Sequence, residues 1–390
     1  DFTPRGINPG RDGGENMSKI FRTACLTIVV LFGFVALTCD EDCPVCPKEP
    51  EPVPIQPHRV YVYDALSQFI CSIDAPADTI VDSIRIDYYG YGIFLTPDEE
   101  KLMVTKVDGF TMEIYSTEDL SYLGSNSQYG DYYFDPKGAY GIWSSFGNKR
   151  LYFIDPVTLI RYDSLPFCSY GGFLDTVNHL FWGNGIKVDT PMSKINYDLI
   201  YKVDCASRSL VDSFVLRDQQ FENQVISARS IAYNYSTGDL YCQGKLGPYY
   251  SVFYQYSLTG DSVVARLFIS ATTGTISISP DGKKVYVTDG GNDQAGRYPR
   301  GDVFVFDAYS HGLINVIPPY DFSRGPIVWP LFGLCSLTPD GQRAYLGSHS
   351  ANLGGVPLYI ADLSQNKIIK TIRPYSTFDV AAIAIGRKTK

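Results

Sequence analysis

Apolar and polar residues alternate in short runs along most of this chain, and turn-forming residues separate the runs. The clearest example is the stretch ISISPDGKKVYVTDG, which begins at Ile276 and contains two apolar runs joined by Pro280-Asp281-Gly282. Proline fixes φ, aspartate bonds back to the backbone and glycine accepts a positive φ, so this stretch predicts a β-hairpin. A third strand, VFVFD, follows a polar loop and ends at Asp307.

Two series of such segments alternate along the chain. One series is a hairpin of the Pro-Asp-Gly type, found around residues 97, 136, 176, 237, 281 and 340. The other is an aromatic or β-branched run that ends in a turn-forming residue: Asp64, Ser116, Asp155, Asp204, Ser257, Asp307 and Asp362. Successive runs lie 39 to 55 residues apart. A unit of four short antiparallel strands at this period predicts one blade of a β-propeller.

The two ends of the repeat predict how the ring closes. The stretch from Arg59 to Ile73 is interpreted as the second hairpin of a unit, and the lone run DVAAIAIG from Asp379 to Gly386 as an inner strand. Joined together, they would form one blade with three evident strands. We therefore predict an all-β fold, a β-propeller of four-stranded antiparallel blades over residues 58–386. Seven blades closed by the two terminal strands fit the count best, with six or eight as the alternatives.

The cassette SPDGKKVYVTDG followed by VFVFDAYSHGLINVI resembles the YVTN-type β-propeller repeat of bacterial and archaeal cell-surface and periplasmic proteins. The resemblance covers residues 58–386 and is strongest around residues 97, 281 and 340. It implies the fold and a compartment outside the cytoplasm. Its motif residues are structural, so it implies no catalytic residue.

The amino-terminal end is typical of an exported protein. Residues 1–16 are interpreted as an upstream extension outside the mature protein, and residues 17–38 as a signal peptide with an apolar run from Thr23 to Thr38. The last part of that run resembles a bacterial lipobox, with Cys39 as the lipidated residue. Because Ala36 and Thr38 depart from the usual pattern, a plain signal peptide and an uncleaved anchor stay open as alternatives.

A tether is predicted between the signal and the propeller. Residues 39–57 are rich in Pro and Glu and contain Cys43 and Cys46, which we interpret as a tether pair and not as a redox or zinc site. Residues 387–390 form a short basic tail. The sequence thus predicts a protein of the bacterial envelope, in the periplasm or on the cell surface, attached to the membrane through a lipid or its signal region.

Charge and histidine content narrow the functional classes. The formal net charge is -9 with no basic cluster outside the termini, so nucleic acid is not an expected partner. Four histidines are too few and too scattered for a multi-histidine copper or haem site, and we expect no cofactor and no metal. Asp289, Asn292, Asp293 and Asp302 match no calcium-loop spacing and are interpreted as a solvated acidic loop.

The predicted long connections all fall on one face of the propeller, where scaffolds commonly carry their sites. They are expected at residues 74–92, 184–197, 217–229, 289–302, 318–333 and 348–357. Aromatic and arginine side chains in them form the predicted binding set, since such residues favour peptides, sugars and anions. That set is Tyr88, Tyr89, Tyr91, Arg297, Tyr298, Arg300, Tyr320, Arg324 and Trp329.

Three functions are compatible with these features. The favoured one is a binding module on the cell envelope that recognises a protein, peptide or glycan. A lactonase-like or other sugar-acid hydrolase is the first alternative, and it requires carboxylates and a histidine that converge in the central mouth. A structural surface-layer component is the second. No residue is assigned a catalytic role.

Overall fold

The computed structural model describes residues 58–106, 111–187, 199–221, 224–246, 250–269, 274–289, 302–318, 332–348, 357–373 and 380–386. All of them belong to the compact unit Ile55–Lys390. They form twenty-nine strands and one 3-10 turn at Gln219–Phe221. In this part of the chain no helix has the length and apolarity that a membrane crossing needs.

The first fifteen strands along the chain are β1 Arg59–Asp64, β2 Phe69–Asp74, β3 Thr79–Arg85, β4 Gly90–Leu95, β5 Lys101–Lys106, β6 Thr111–Ser116, β7 Tyr122–Asn126, β8 Asp131–Phe134, β9 Gly141–Ser145, β10 Arg150–Ile154, β11 Arg161–Leu165, β12 Phe167–Asp175, β13 Leu180–Lys187, β14 Leu199–Asp204 and β15 Ser209–Val215. The remaining strands are β16 Arg217–Asp218, β17 Gln224–Asn234, β18 Asp239–Leu246, β19 Tyr250–Ser257, β20 Ser262–Ile269, β21 Ile276–Ile278, β22 Lys284–Thr288, β23 Val303–Asp307, β24 Leu313–Ile317, β25 Phe332–Leu337, β26 Arg343–Ser348, β27 Leu358–Asp362, β28 Lys367–Ile372 and β29 Val380–Ile385.

These strands form seven antiparallel blades, which confirms the predicted β-propeller and its blade number. We letter the strands of a blade A to D from the innermost outwards. Blades 2, 3, 4, 6 and 7 are β4–β7, β8–β11, β12–β15, β21–β24 and β25–β28. Blade 5 is β17–β20, with the two-residue strand β16 added beside β17.

Blade 1 closes the ring with strands from both chain ends, as predicted, but it has four strands and not three. Its order is β29-β1-β2-β3, so the carboxyl-terminal strand is innermost and β1 is its B strand. Residues 59–73 were interpreted as the C and D strands of a blade, which was wrong by one strand, because they form its B and C strands. The missing outer strand is β3, which lies inside the predicted long connection at residues 74–92.

Seven large clusters form a ring of hydrophobic core, and each lies between two adjacent blades. A small eighth cluster contains Phe146 and Cys168. The cluster between blades 7 and 1 contains Val60, Val62, Tyr345 and Ile360, so it completes the ring. Both faces of an inner strand are covered by neighbouring blades, which explains why B and C strands such as β9 are buried along their length. The residues of an outer D strand such as β3 are all exposed or half-buried.

The turn between the C and D strands is the same in every blade. Its fifth residue has a left-handed backbone with φ between 46° and 61° and is never glycine: Asp78, Leu120, Leu159, Arg208, Asp261, His311 and Asn366. An Asp at the start of the turn accepts backbone N–H bonds where the sequence supplies one. Asp307 Oδ1, for example, accepts from the N–H groups of Tyr309 and Ser310 at 3.0 and 2.7 Å. Such bonds satisfy the turn's backbone without help from neighbouring strands.

The A–B and C–D turns open on one face of the propeller, which we call the short-turn face. The B–C connections and the D–A connections between blades open on the other, which we call the loop face. All six Pro-Asp-Gly-type turns are A–B turns, as predicted. Two predicted long connections were wrong: β3 occupies much of residues 74–92, and β16, the 3-10 turn and the start of β17 occupy residues 217–229.

Candidate functional site

The predicted binding residues that the structure describes lie where blade 1 leads into blade 2 on the loop face. Tyr89 is 56% exposed, whereas its neighbour Tyr88 is only 4% exposed. Tyr91 lies in β4, and its side chain is outside the described residues. The other members of the set, Arg297, Tyr298, Arg300, Tyr320, Arg324 and Trp329, also lie outside the described residues, as does Cys39.

Tyr88 is anchored in the interface between blades 1 and 2. Tyr63 Oη donates to the Tyr88 carbonyl at 3.1 Å and accepts from the Gly90 N–H at 2.7 Å. Glycine is needed at residue 90 because an added Cβ would lie 2.9 Å from the Tyr63 ring. The side chain of Tyr88 meets Tyr115 at 3.3 Å between hydroxyl oxygens, and Tyr115 donates to Glu113 Oε2 at 2.6 Å. Tyr88 therefore contributes to the core and not to the exposed surface.

A lysine completes this cluster at the edge of the loop face. Lys106 Nζ lies 4.4 Å from the centroid of the Tyr88 ring and 3.7 Å from Glu113 Oε1. Burial raises the pKa of Tyr88 and of Tyr115 above the ordinary tyrosine value, so both hydroxyls are neutral hydrogen-bond partners. Because Tyr88 and Gly90 are both held by Tyr63, the backbone before and after Tyr89 is fixed. The Tyr89 side chain therefore extends into solvent from a defined position.

Asp131 is a candidate residue that the sequence analysis did not single out. It is the first residue of β8, the innermost strand of blade 3, and it lies on the loop face. Side chains alternate along a strand, so Asp131 shares a side with Tyr133, which packs between blades 3 and 4. Its charge acts on Cys168 of β12 and on Tyr129. Asp131 therefore lies between the inner strands of two blades.

Burial raises the pKa of Asp131 to about 7. Some of its surface is still accessible, although protein atoms surround it closely, as expected for a group at the narrow inner end of two blades. Within the described ranges, its carboxylate has no hydrogen bond or ion pair. A carboxylate that changes charge near neutral pH can pair with a cation when ionised and donate a hydrogen bond when neutral. It is the strongest polar candidate on this face.

The histidines do not join this site. His58, His179 and His311 all lie on the short-turn face, at the start of β1, in the A–B turn of blade 4 and in the C–D turn of blade 6. His179 Nδ1 is 3.2 Å from Tyr140 Oη, and His311 Nδ1 contacts Gln255 Nε2. These contacts hold the histidine side chains against neighbouring strands at the turns. His349 lies outside the described residues.

Metal-binding and thiol chemistry have little support in the described part of the chain. It holds no group of three His, Cys, Asp or Glu residues arranged to bind a metal ion. The Asp289 N–H donates to the Asp302 carbonyl at 2.9 Å, while Asn292 and Asp293 lie outside the described residues. The described cysteines are all buried and unbridged, and burial raises the thiol pKa of Cys168 to about 11, so its reactive thiolate form is disfavoured.

Comparisons with known proteins show the fold and no closer relationship. No protein-family model matches the chain, and no curated protein does. A structure of Kuenenia stuttgartiensis hydrazine synthase is 13% identical, with a TM-score of 0.54 over 70% of this chain and 77% of that chain. The dihydro-heme d1 dehydrogenase NirN, in complex with DHE, is 12% identical, with a TM-score of 0.57 over 87% and 77%. A functionally unknown protein from Desulfotomaculum acetoxidans is 15% identical, with a TM-score of 0.58 over 84% and 98%. At these identities the likeness carries the propeller architecture and no activity.

Proposed function

We propose that this protein is an exported β-propeller, held at the cell envelope by a lipid on Cys39, whose loop face binds a protein, peptide or glycan. The observation that carries the binding role is the asymmetry of the two faces. The short-turn face is built from repeated, internally hydrogen-bonded turns, whereas the loop face carries an exposed Tyr89 over a fixed Tyr88 and an Asp131 without a hydrogen-bond partner in the described ranges.

Recognition is favoured over hydrolysis by the positions of the histidines. A sugar-acid hydrolase would need carboxylates and a histidine that converge at one point in the mouth. The three described histidines lie on the opposite face, at turns. A tyrosine held outwards by its neighbour is instead suited to stacking on a ring or a peptide, because little freedom is lost on binding. The resemblance to the YVTN-type repeat and the export-like segment before Cys39 support the envelope location.

A pair of matched tyrosines tests the binding role. The full chain is screened against glycan and peptide arrays, and the affinity of each hit is measured for Tyr89→Ala and Tyr309→Ala. Tyr309 is 58% exposed, like Tyr89, but lies in a C–D turn on the short-turn face. We expect Tyr89→Ala to weaken binding about tenfold or more and Tyr309→Ala to leave it unchanged. Equal effects of the two variants, or a larger effect of Tyr309→Ala, would refute a loop-face site.

The envelope anchor is tested separately. Cys39→Ala should abolish incorporation of a labelled fatty acid and release the protein from the membrane fraction of an expressing bacterium. Cys43→Ala is the matched control, since it removes a nearby thiol and should change neither readout. Membrane retention of Cys39→Ala would refute the lipid anchor without bearing on the loop-face site.

A further inference from the structure

The closure of the propeller leaves a gap in the ring of A–B turns. In blade 1 the A strand is β29 and the B strand is β1, so no A–B turn joins them. In blades 6 and 7 the tip of the A–B turn packs closely on the tip before it. A Cβ added at Gly341 would lie 3.1 Å from Pro280 Cδ, and one added at Gly282 would collide with Ser236 Oγ. Glycine is required at such crowded, left-handed positions.

Glu99 occupies the equivalent position in blade 2, directly beside the gap. Its φ is 58°, whereas the matching turns of blades 3, 6 and 7 have Gly138, Gly282 and Gly341 with φ of 74°, 70° and 68°. A left-handed backbone costs a residue other than glycine about 1 kcal/mol. The preceding blade has no A–B turn tip that could crowd this side chain. Its carboxylate extends to Gly386, where an added Cβ would be 2.8 Å from Glu99 Oε2.

A cavity of about 330 Å³ lies beneath Glu99. Its walls come from the inner strands of blades 1, 2 and 3, and include Phe94, Tyr132, Phe134 and Ile383. The Phe94 and Tyr132 rings lie 5.4 Å apart between centroids, so one wall is aromatic. Thr96, Pro97, Glu99 and Pro136 form the rim on the short-turn face. The volume is at the small end of the range for ligand sites, which suits a body of one or two rings.

The polar groups at the rim select the charge of a ligand. Thr96 Oγ1 already donates to Asp98 Oδ1 at 2.5 Å, and Lys101 Nζ donates to the Val157 carbonyl at 2.8 Å. Glu99 is the carboxylate among the cavity-lining residues. Arg59 is a positively charged residue near the same rim, because the charges of both Arg59 and Glu99 affect the pKa of the Tyr61 hydroxyl. A partly aromatic pocket, lined mainly by apolar residues and lying beneath a carboxylate, is suited to an organic cation.

We propose that this cavity binds a small organic ammonium ion, whose ring system packs against Phe94 and Tyr132 and whose charged group pairs with Glu99. The strained backbone of Glu99 is then the cost of holding a carboxylate over the pocket. This site lies on the face opposite the proposed recognition surface and does not depend on it. A failure of either proposal leaves the other standing.

The test compares three indole probes by titration calorimetry with the full chain at pH 7. Tryptamine carries an ammonium group, tryptophol is neutral and indole-3-propionate is an anion. We expect tryptamine to bind about tenfold more tightly than tryptophol, and the anion not to bind. Glu99→Gln and Glu99→Gly should remove this preference. Glu100→Gln, which makes the same charge change at the exposed neighbour, should keep it.

Thermal melting separates the ligand role from a purely structural one. Without a probe, Glu99→Gly should melt no lower than the wild type, because glycine relieves the left-handed strain. Arg59→Gln should tighten tryptamine binding by removing a competing cation. The proposal is overturned if tryptamine does not saturate at millimolar concentrations, if the Glu99 variants bind it as well as the wild type, or if Glu99→Gly melts lower and Arg59→Gln weakens binding.

Discussion

The two faces of this propeller use their polar residues differently. On the short-turn face, Asp and Ser side chains bond to the turn that contains them or to the neighbouring blade, as Asp307 does with its own turn and Asn234 Nδ2 does with the Gly282 carbonyl at 2.7 Å. On the loop face, Asp131 lies between two blades without a hydrogen-bond partner among the described residues. Polar side chains also join the blades near the loop face, where Asn184 Nδ2 donates to the Ala228 carbonyl and Gln243 Nε2 to the Thr288 carbonyl, both at 2.7 Å. Asp131 differs from them because its carboxylate takes no part in this bonding among the described residues.

The contrast is sharpest where the ring closes. Arg343 Nη1 of blade 7 donates to Asp78 Oδ2 of blade 1 at 2.5 Å, and Tyr345 Oη donates to Asp78 Oδ1 at 3.3 Å. Lys370 Nζ donates to the Ala77 carbonyl at 3.2 Å. These contacts lie on the short-turn face and join blade 7 to the strands of blade 1 that come from the amino-terminal end of the chain. The largest cost in stability is therefore expected from breaking them.

Asp78→Ala should lower the free energy of unfolding by about 3 kcal/mol, because it leaves the mostly buried Arg343 guanidinium without its partner. Burial also raises the pKa of Asp78 against the opposing effect of Arg343, which indicates that the carboxylate loses much hydration in the folded protein. Guanidinium unfolding at neutral pH measures the change.

Asp163→Ala is the control for this prediction. Asp163 pairs with Arg208 at 3.8 Å, but both side chains are about half exposed on the outer surface, so the loss should be about 0.5 kcal/mol or less. If the two variants unfold at the same denaturant concentration, the closure contact between blades 7 and 1 contributes no more than a surface pair.

A glycine exchange gives the next largest effect. Gly282→Ala should cost about 1–2 kcal/mol, because φ is 70° and the added Cβ collides with Ser236 Oγ of the preceding blade. Gly147→Ala is the matched change on the loop face, where an added Cβ meets nothing within 4 Å, and it should alter stability by less than about 0.5 kcal/mol. Thermal melting of both variants checks the pair, and an equal loss would remove the difference between the faces.

The fold was predictable because each blade repeats its own turn chemistry. Six of the seven Asp- or Ser-terminated runs end C strands, and all six Pro-Asp-Gly-type hairpins join A to B strands. Asp64 was misassigned because a B–C turn can use the same local bonds. Asp64 Oδ1 accepts from the Leu66 and Ser67 N–H groups, as Asp307 does from Tyr309 and Ser310. Local hydrogen bonding specifies a turn but not the face on which it opens.

The site was less predictable because its properties depend on contacts between distant segments. Tyr89 lies exposed on the loop face, but nothing in the sequence separates it from Tyr88, which Tyr63 and Tyr115 bury. Asp131 precedes an ordinary aromatic run, and its pKa is raised by burial in the folded ring. Glu99 lies beside a missing A–B turn because the two chain ends meet in blade 1. Each of these properties depends on how segments that are distant in the sequence pack against one another.

The last prediction concerns the pH dependence of Asp131. An unfolded aspartate has a pKa of about 3.9, and burial raises the folded value to about 7. The raised value means that the folded state prefers the neutral acid. That preference stabilises the protein fully below about pH 4 and is lost as the pH rises through about 7, where the buried group becomes charged. Asp131→Asn cannot ionise, so it should melt a few degrees higher than the wild type at pH 8 and at the same temperature at pH 4.

Asp87→Asn is the control, because Asp87 is an exposed acid on the same face and should show no such dependence. A gain for Asp131→Asn that is equally large at pH 4 and pH 8 would point to improved packing and not to the charge. A gain confined to pH 8 would mean that the native carboxylate is kept at a cost in stability, as expected of a group that serves binding on the loop face. The same substitution should then weaken any loop-face ligand whose recognition uses that charge.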